Sequence, residues 1–323
     1  MFDTILVPLD GSQMADSVLP HVAAIAGPFN AEVTLLRMLE KNQTVPSTQL
    51  FDLLNWQINK TRSALYLEKI KELFQETGIR TRALVLEGLV AEGIAEYAHQ
   101  QEIKLIVLSS HGRSGLTQWG ISSIAQKIVL IAQTSLMLVR AHQYGTHPDK
   151  LSIAPLYKNI LVPLDGSQRA ENVLPVVTQL AQFHKSQVHL VHVVKTPEMA
   201  RQMPLALEDI ELAARVVERN REEAENYLEH LKSRSYLKDI DIRTHLITSE
   251  NAIVALHHLE EQEQIDIVIF NAHGYSGHHQ WPYGSMVNHF ILYGRAPLLI
   301  VQDLPFRQEP ISPELSTFKR IEY

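Results

Sequence analysis

Ile5-Leu-Val-Pro-Leu-Asp-Gly-Ser-Gln13 returns letter for letter as Ile160-Leu-Val-Pro-Leu-Asp-Gly-Ser-Gln168, an offset of 155 residues. Val18-Leu-Pro20 recurs at the same offset as Val173-Leu-Pro175. Later in each half, His111-Gly-x-Ser-Gly-x-x-Gln-Trp119 is matched by His273-Gly-x-Ser-Gly-x-x-Gln-Trp281, now 162 residues apart. The two anchors thus differ by a net insertion of about seven residues. A period this long marks a duplicated domain, because solenoid units repeat every 20–50 residues. Each half is therefore a control for the other.

A chain of 323 residues suits two domains of ordinary size, each able to bury a core without staples. The boundaries read as a first domain over 1–143, a linker over 144–156, a second domain over 157–304 and a tail over 305–323. Cysteine is absent, which excludes disulfides, thiolate catalysis and cysteine-based zinc sites. A net charge of −7 with no basic stripe argues against nucleic-acid binding. No stretch reaches the ~18 apolar residues of a membrane span, and the first residues lack the pattern of a secretory signal. The expected setting is the cytoplasm.

Short apolar runs alternate with helical patterns. Thr4–Pro8 reads as a strand closed by Asp10-Gly-Ser12, a turn and helix-cap signal, and a helix is expected from there to about residue 26. Strands follow at 32–39, 80–86, 105–109 and 136–140, with helices over 50–77, 90–101 and from about 122. The second half repeats the order, with strands at 159–163, 187–194, 240–247, 266–271 and 298–302 and a long amphipathic helix over 205–235. This alternation predicts an α/β fold of two tandem, doubly wound parallel-sheet domains.

In such sheets ligands bind beyond the carboxyl ends of the strands, where strand order reverses. Asp10 and Asp165 close the first strands, and the loops 109–123 and 271–285 lead from the fourth strands to helix starts. Those loops can offer backbone N–H groups and a helix dipole to an anion. The same Gly and Ser residues also serve as ordinary turn and cap residues. Neither a G-x-x-x-x-G-K-[ST] loop nor a G-x-G-x-x-G after a first strand is present. His273, His278 and His279 crowd the second loop without a three-ligand spacing, so no metal site is assigned. Trp119 and Trp281, at matched positions, suggest a shared packing role.

Val-Pro-Leu-Asp-Gly-Ser at the first strand, Leu190-Val-His-Val193 on the second strand and the late His-Gly-x-Ser-Gly loop together resemble the universal stress protein family, in both halves. The resemblance implies a five-stranded parallel sheet per half and binding of ATP or another adenine nucleotide, with magnesium able to bridge the phosphates. It also implies pairing through the last strands, either within the chain as a pseudo-dimer of its two halves or as a homodimer. The family's loop pattern G-x2-G-x9-G-[ST] falls on Asn271, Gly274, Gly284 and Ser285, and in the first half on Ser109, Gly112, Ser122 and Ser123. By the same resemblance Asp165 lies near the ribose or the metal-bound phosphates and Val193 against the adenine, with Asp10 and Met38 as counterparts. The fuller pattern places binding chiefly in the second half.

Catalysis has little support. Neither loop carries a lysine, and neither aspartate has a partnered base or nucleophile nearby in sequence, so slow ATP hydrolysis is the most that is expected. Two other readings stay open: a scaffold of the same fold that binds no nucleotide, favoured by Ser109, Ser122 and Asn271 in place of glycine, and a weak ATPase or nucleotide-dependent transferase of related architecture, disfavoured by the lack of a lysine in the loops.

Overall fold

The computed structural model describes residues 1–40, 50–112, 121–141, 151, 156–197, 207–234, 237–275, 282–303 and 319–320. By their contacts they separate into two units, Met1–Ala154 with Ile291–Tyr323, and Pro155–Phe290.

In the first unit the order is β1 (Thr4–Pro8), α1 (Gln13–Asp16), α2 (Leu19–Phe29), β2 (Glu32–Leu39), α3 (Leu50–Glu76), β3 (Thr81–Glu87), α4 (Val90–Gln100), β4 (Leu105–Ser109), α5 (Ser123–Ile131) and β5 (Ser135–Val139). The strands lie as β3-β2-β1-β4-β5, all parallel. Strand order reverses between β1 and β4. Ile5, Leu6 and Val7 have no exposed surface, as expected for a central strand covered on both faces.

The second unit repeats the plan with β6 (Asn159–Pro163), α6 (Leu174–His184), β7 (Gln187–Lys195), α7 (Leu207–Lys232), β8 (Asp241–Ser249), α8 (Ala252–Gln262), β9 (Ile267–Asn271) and α9 (Ser285–Tyr293). Its strands lie as β8-β7-β6-β9, again parallel. The tandem α/β architecture expected from the repeat is the one found. The following strand, β10 (Leu298–Val301), runs antiparallel to β5 with Leu299 opposite Met137, and so joins the first unit. A two-residue strand, β11 (Lys319–Arg320), runs antiparallel to β3.

The first helix differs from the sequence expectation. It breaks after Asp16, restarts at Leu19 and runs to Phe29. Pro20 near the new start accounts for the break, since its missing N–H leaves no intrahelical bond unmade in a helix's first turn. The second unit has a 3-10 turn, Ala170–Val173, and then α6 with Pro175 in the same place. Both helices end on a left-handed residue, Asn30 and Lys185. Among the described residues no helix is long and apolar enough to cross a membrane.

Candidate functional site

At the carboxyl ends of β1, β2 and β4, beside the start of α5, lies a cavity of about 350 Å³. Asp10, Met38, Ser109, Gly112 and Ser122 line it, with Ile94 and Ile128 forming part of its apolar wall. Five of the residues singled out in the first half, Asp10, Met38, Ser109, Gly112 and Ser122, therefore converge on one crevice, and Ser123 is not among its lining. It sits at the strand-order reversal, where open α/β sheets bind ligands.

Asp10 is fixed by local chemistry. Gly11 takes a left-handed φ of 75°, which turns the chain so that Asp10 Oδ1 accepts from Ser12 N (2.9 Å) and Ser12 Oγ (2.5 Å). The same Ser12 hydroxyl accepts from Ala15 N at 3.1 Å and caps α1. The second unit reproduces this turn. Gly166 has φ 84°, and Asp165 Oδ1 accepts from Ser167 N at 3.0 Å and Oγ at 2.6 Å. Its other oxygen, Oδ2, accepts from Tyr275 N at 2.6 Å and so ties the first strand to the loop after β9.

This tie explains the loop glycines. A Cβ on Gly112 would stand 2.4 Å from Asp10 Oδ2, and one on Gly274 would stand 2.2 Å from Asp165 Oδ2. Only glycine lets the carboxylate approach that closely. The third pattern position behaves differently. Gly284 donates to Ala272 O at 2.8 Å, and among the described residues a Cβ there would meet only that oxygen, at an ordinary 3.7 Å. Its counterpart Ser122 makes the matching bond to Ser110 O at 2.7 Å. The Ser122 hydroxyl turns onto its own helix, accepting from Ala125 N at 3.2 Å as the cap of α5. Ser123 and Ser285 are the exposed first residues of α5 and α9.

Asn271 Nδ2 donates to His273 O at 2.7 Å, and its Oδ1 has no partner among the described residues. His111 and His273 are both buried, with His111 Nδ1 3.0 Å from Ser110 Oγ. Met38 is buried and packs on Gly93 of α4, where a Cβ would lie 2.4 Å from the thioether methyl. Val193 is half-buried at the matching place on β7. Residues 276–281, with His278, His279 and Trp281, and residues 113–120, with Trp119, lie outside the described residues, as does most of the 144–156 linker.

Beneath the first aspartate lies a layer that motif reading missed. Asp16 is fully buried and accepts a short hydrogen bond from Tyr66 of α3. Burial first, then the Asp16 carboxylate, pushes the Tyr66 phenol far above its usual range, with Asp10 adding and Arg37 opposing. Arg37 Nη1 also donates to Leu9 O at 3.1 Å. In the second unit Glu171 and Tyr227 take these places. Burial and then Glu171 raise the Tyr227 phenol, and Arg234 pairs with Glu171 at 2.7 Å. His192 replaces Arg37, and burial holds its pKa below the ordinary imidazole value. The duplication could have exposed this layer, because Asp16 and Glu171 share the 155-residue offset of the first motif.

Electrostatically the first crevice is acidic, with Asp10, Glu40 and the nearby Asp16 against Arg37. A carboxylate at the mouth suits ribose hydroxyls directly, and phosphates only through a bridging cation. The residues fit magnesium in that limited sense, Asp10 and Asp165 being the oxygen donors.

The model of the universal stress protein family matches residues 1–140 and 156–302. Over 142 residues the chain is 27% identical to the universal stress protein MJ0531 of Methanocaldococcus jannaschii, covering 43% of this chain and 83% of that protein. The crystal structure of a universal stress protein from Archaeoglobus fulgidus aligns at 14% identity and a TM-score of 0.59, covering 94% of this chain and 99% of that one. A functionally unknown protein from Pseudomonas aeruginosa aligns at 12% identity and a TM-score of 0.61, covering 93% and 92%. At these identities the structures speak for the fold alone.

Proposed function

This chain belongs to the universal stress protein family, and from that premise we propose that it binds an adenine nucleotide, most simply ATP, at the strand-end crevice. The observation that carries this reading is the cavity of about 350 Å³. It falls within the roughly 300–1,000 Å³ of small-molecule sites and combines an apolar wall with few polar groups. Met38 offers a polarisable thioether to a flat ring. Asp10 offers oxygens to a ribose or a magnesium ion, and the start of α5 offers its dipole to phosphate.

In the second domain, 157–304, the corresponding set is Asp165, Val193, Gly274, Gly284 and Ser285. The room at Gly284 supports chief binding there, since among the described residues a Cβ on it would meet only Ala272 O, at 3.7 Å. A second reading places the nucleotide in the first domain, 1–143, on Asp10, Met38, Gly112 and Ser123, and the cavity favours it. In either case the chain acts as a nucleotide-dependent regulator in a stress response, in the cytoplasm. Occupancy changes a surface that a partner reads. The β5–β10 pairing supports the reading in which the two apolar last strands cover each other's edges.

Acid extraction of the purified full chain, followed by chromatography, should release an adenine nucleotide, or Mg-ATP should raise its melting temperature. Asp165→Ala and Gly284→Val abolish the shift if the second domain carries the site, and Asp10→Ala does so if the first does. No nucleotide and no shift at millimolar Mg-ATP overturns the reading in favour of a scaffold. Turnover lost in Asp165→Ala would instead make the protein a slow ATPase.

A further inference from the structure

His189 on β7, His245 on β8 and Glu263 at the end of α8 bring their ligand atoms within 4.8 Å of one another. His189 Nδ1 lies 3.0 Å from His245 Nε2 and 4.0 Å from Glu263 Oε2. The ring centroids are 5.2 Å apart with planes 17° from parallel. With the nitrogens that close, the rings lie side by side, nitrogen facing nitrogen. We propose that these three residues form a binding site for a zinc-class divalent cation, separate from the nucleotide crevice.

Chemistry and position both support the assignment. Two imidazoles and one carboxylate are a recurring zinc donor set that leaves a fourth position for water. Tetrahedral zinc with bonds of about 2.0–2.1 Å asks its donors to stand a little over 3 Å apart, so small side-chain rotations suffice. His189 is 1% exposed and Glu263 20%, which makes the cluster half-sheltered and open on one side. His189 lies four residues before Val193 on the same strand, toward the amino end of the sheet. The crevice is at the other end.

The duplication supplies the control. In the register of the two sheets Thr34 faces Arg82 as His189 faces Arg243, and Leu36 faces Leu84 as Val191 faces His245. Gln101 closes α4 as Glu263 closes α8. The first copy thus has Thr34, Leu84 and Gln101 where the second has His189, His245 and Glu263. The same fold stands without the cluster, so folding does not demand it.

Two features oppose binding and set its strength. Arg243 Nη1 already holds Glu263 Oε2 at 2.7 Å, but its side chain is 55% exposed and can swing into water at little cost. Loading the metal through His189 Nδ1 puts the ring proton on Nε2, which is buried without an acceptor among the described residues. Affinity should be moderate for that reason.

The test uses chelator-stripped full chain titrated with Zn²⁺ by calorimetry, and with Co²⁺ while its visible absorption is read. The expected result is a site on each chain whose cobalt spectrum has the intensity of four-coordination. His245→Ala and the isosteric Glu263→Gln should each weaken zinc at least tenfold, in line with the roughly 10–100-fold losses seen when even outer-shell partners are removed. Arg243→Gln, which removes a competitor, should tighten it. Far-UV dichroism confirms that the variants fold. The proposal is overturned if the wild type takes up no zinc at about 1 mM, roughly the weak end of the affinities of protein cation sites. Zinc affinity unchanged by either ligand substitution overturns it as well.

Discussion

Adding one methyl group at Gly274 should reveal the tie between the first strand and its loop. The new Cβ would sit 2.2 Å from Asp165 Oδ2, so the carboxylate must move and release Tyr275 N, now held at 2.6 Å. A hydrogen bond to a charged group contributes about 1.5–3 kcal/mol. Asp165 is exposed and water replaces part of that bond, so a loss of about 1–2 kcal/mol is expected for Gly274→Ala. In an Asp165→Ala background the obstacle is gone. Gly274 does not occupy the left-handed region, so alanine there should be neutral or stabilise by roughly 0.4–1 kcal/mol through the unfolded chain. Urea denaturation of the full-length double-mutant cycle, followed through the transition of the second unit, should give a coupling energy above about 1 kcal/mol. Equal costs of Gly274→Ala in both backgrounds would refute the reasoning. Gly284→Ala is the internal control, expected within about 0.5 kcal/mol of wild type because among the described residues its Cβ meets only an ordinary contact.

Further predictions concern the buried polar layer, the caps and pH. Tyr66→Phe removes a hydrogen bond to the fully buried Asp16 and should cost about 1.5–3 kcal/mol by chemical denaturation. Ser122→Ala should cost about 1 kcal/mol through loss of the α5 cap, while Ser122→Gly costs only a few tenths, distinguishable by melting temperature. His21 is buried and its pKa is lowered by that burial from 6.5 to about 3, so it stays neutral in the folded protein while the unfolded chain takes up a proton. Stability from this residue is complete above pH 6.5 and falls as pH drops toward 3, by about 2 kcal/mol at pH 5. His21→Leu should flatten that slope in a pH series of urea midpoints. Gly93→Ala should cost under about 1 kcal/mol, since only the flexible end of Met38 must yield, and Met38→Val should remove the cost.

Much of the site was legible because its signals are local. Asp10-Gly-Ser12 and Asp165-Gly-Ser167 each build their turn from adjacent residues, so a short motif is enough to place them. Asp16 with Tyr66 was not legible in that way, because the partners are fifty residues apart and join only when α3 packs on the sheet. Gly112 and Gly274 stand out in the sequence as glycines of the loop pattern, which does not say what keeps a side chain from these positions. In this structure it is an aspartate 102 and 109 residues earlier in the chain.

The sequence by itself determined the duplication, the α/β alternation and the strand-end position of each aspartate, because repeats, hydrophobic period and turn chemistry are written in neighbouring residues. Only the tertiary structure decided which side chains meet. Strand register set His189 and His245 side by side, sheet order put the reversal between β1 and β4, and β10 came to pair antiparallel with β5. Those outcomes depend on contacts between residues far apart in sequence, whose energies exist only once the chain has closed on itself.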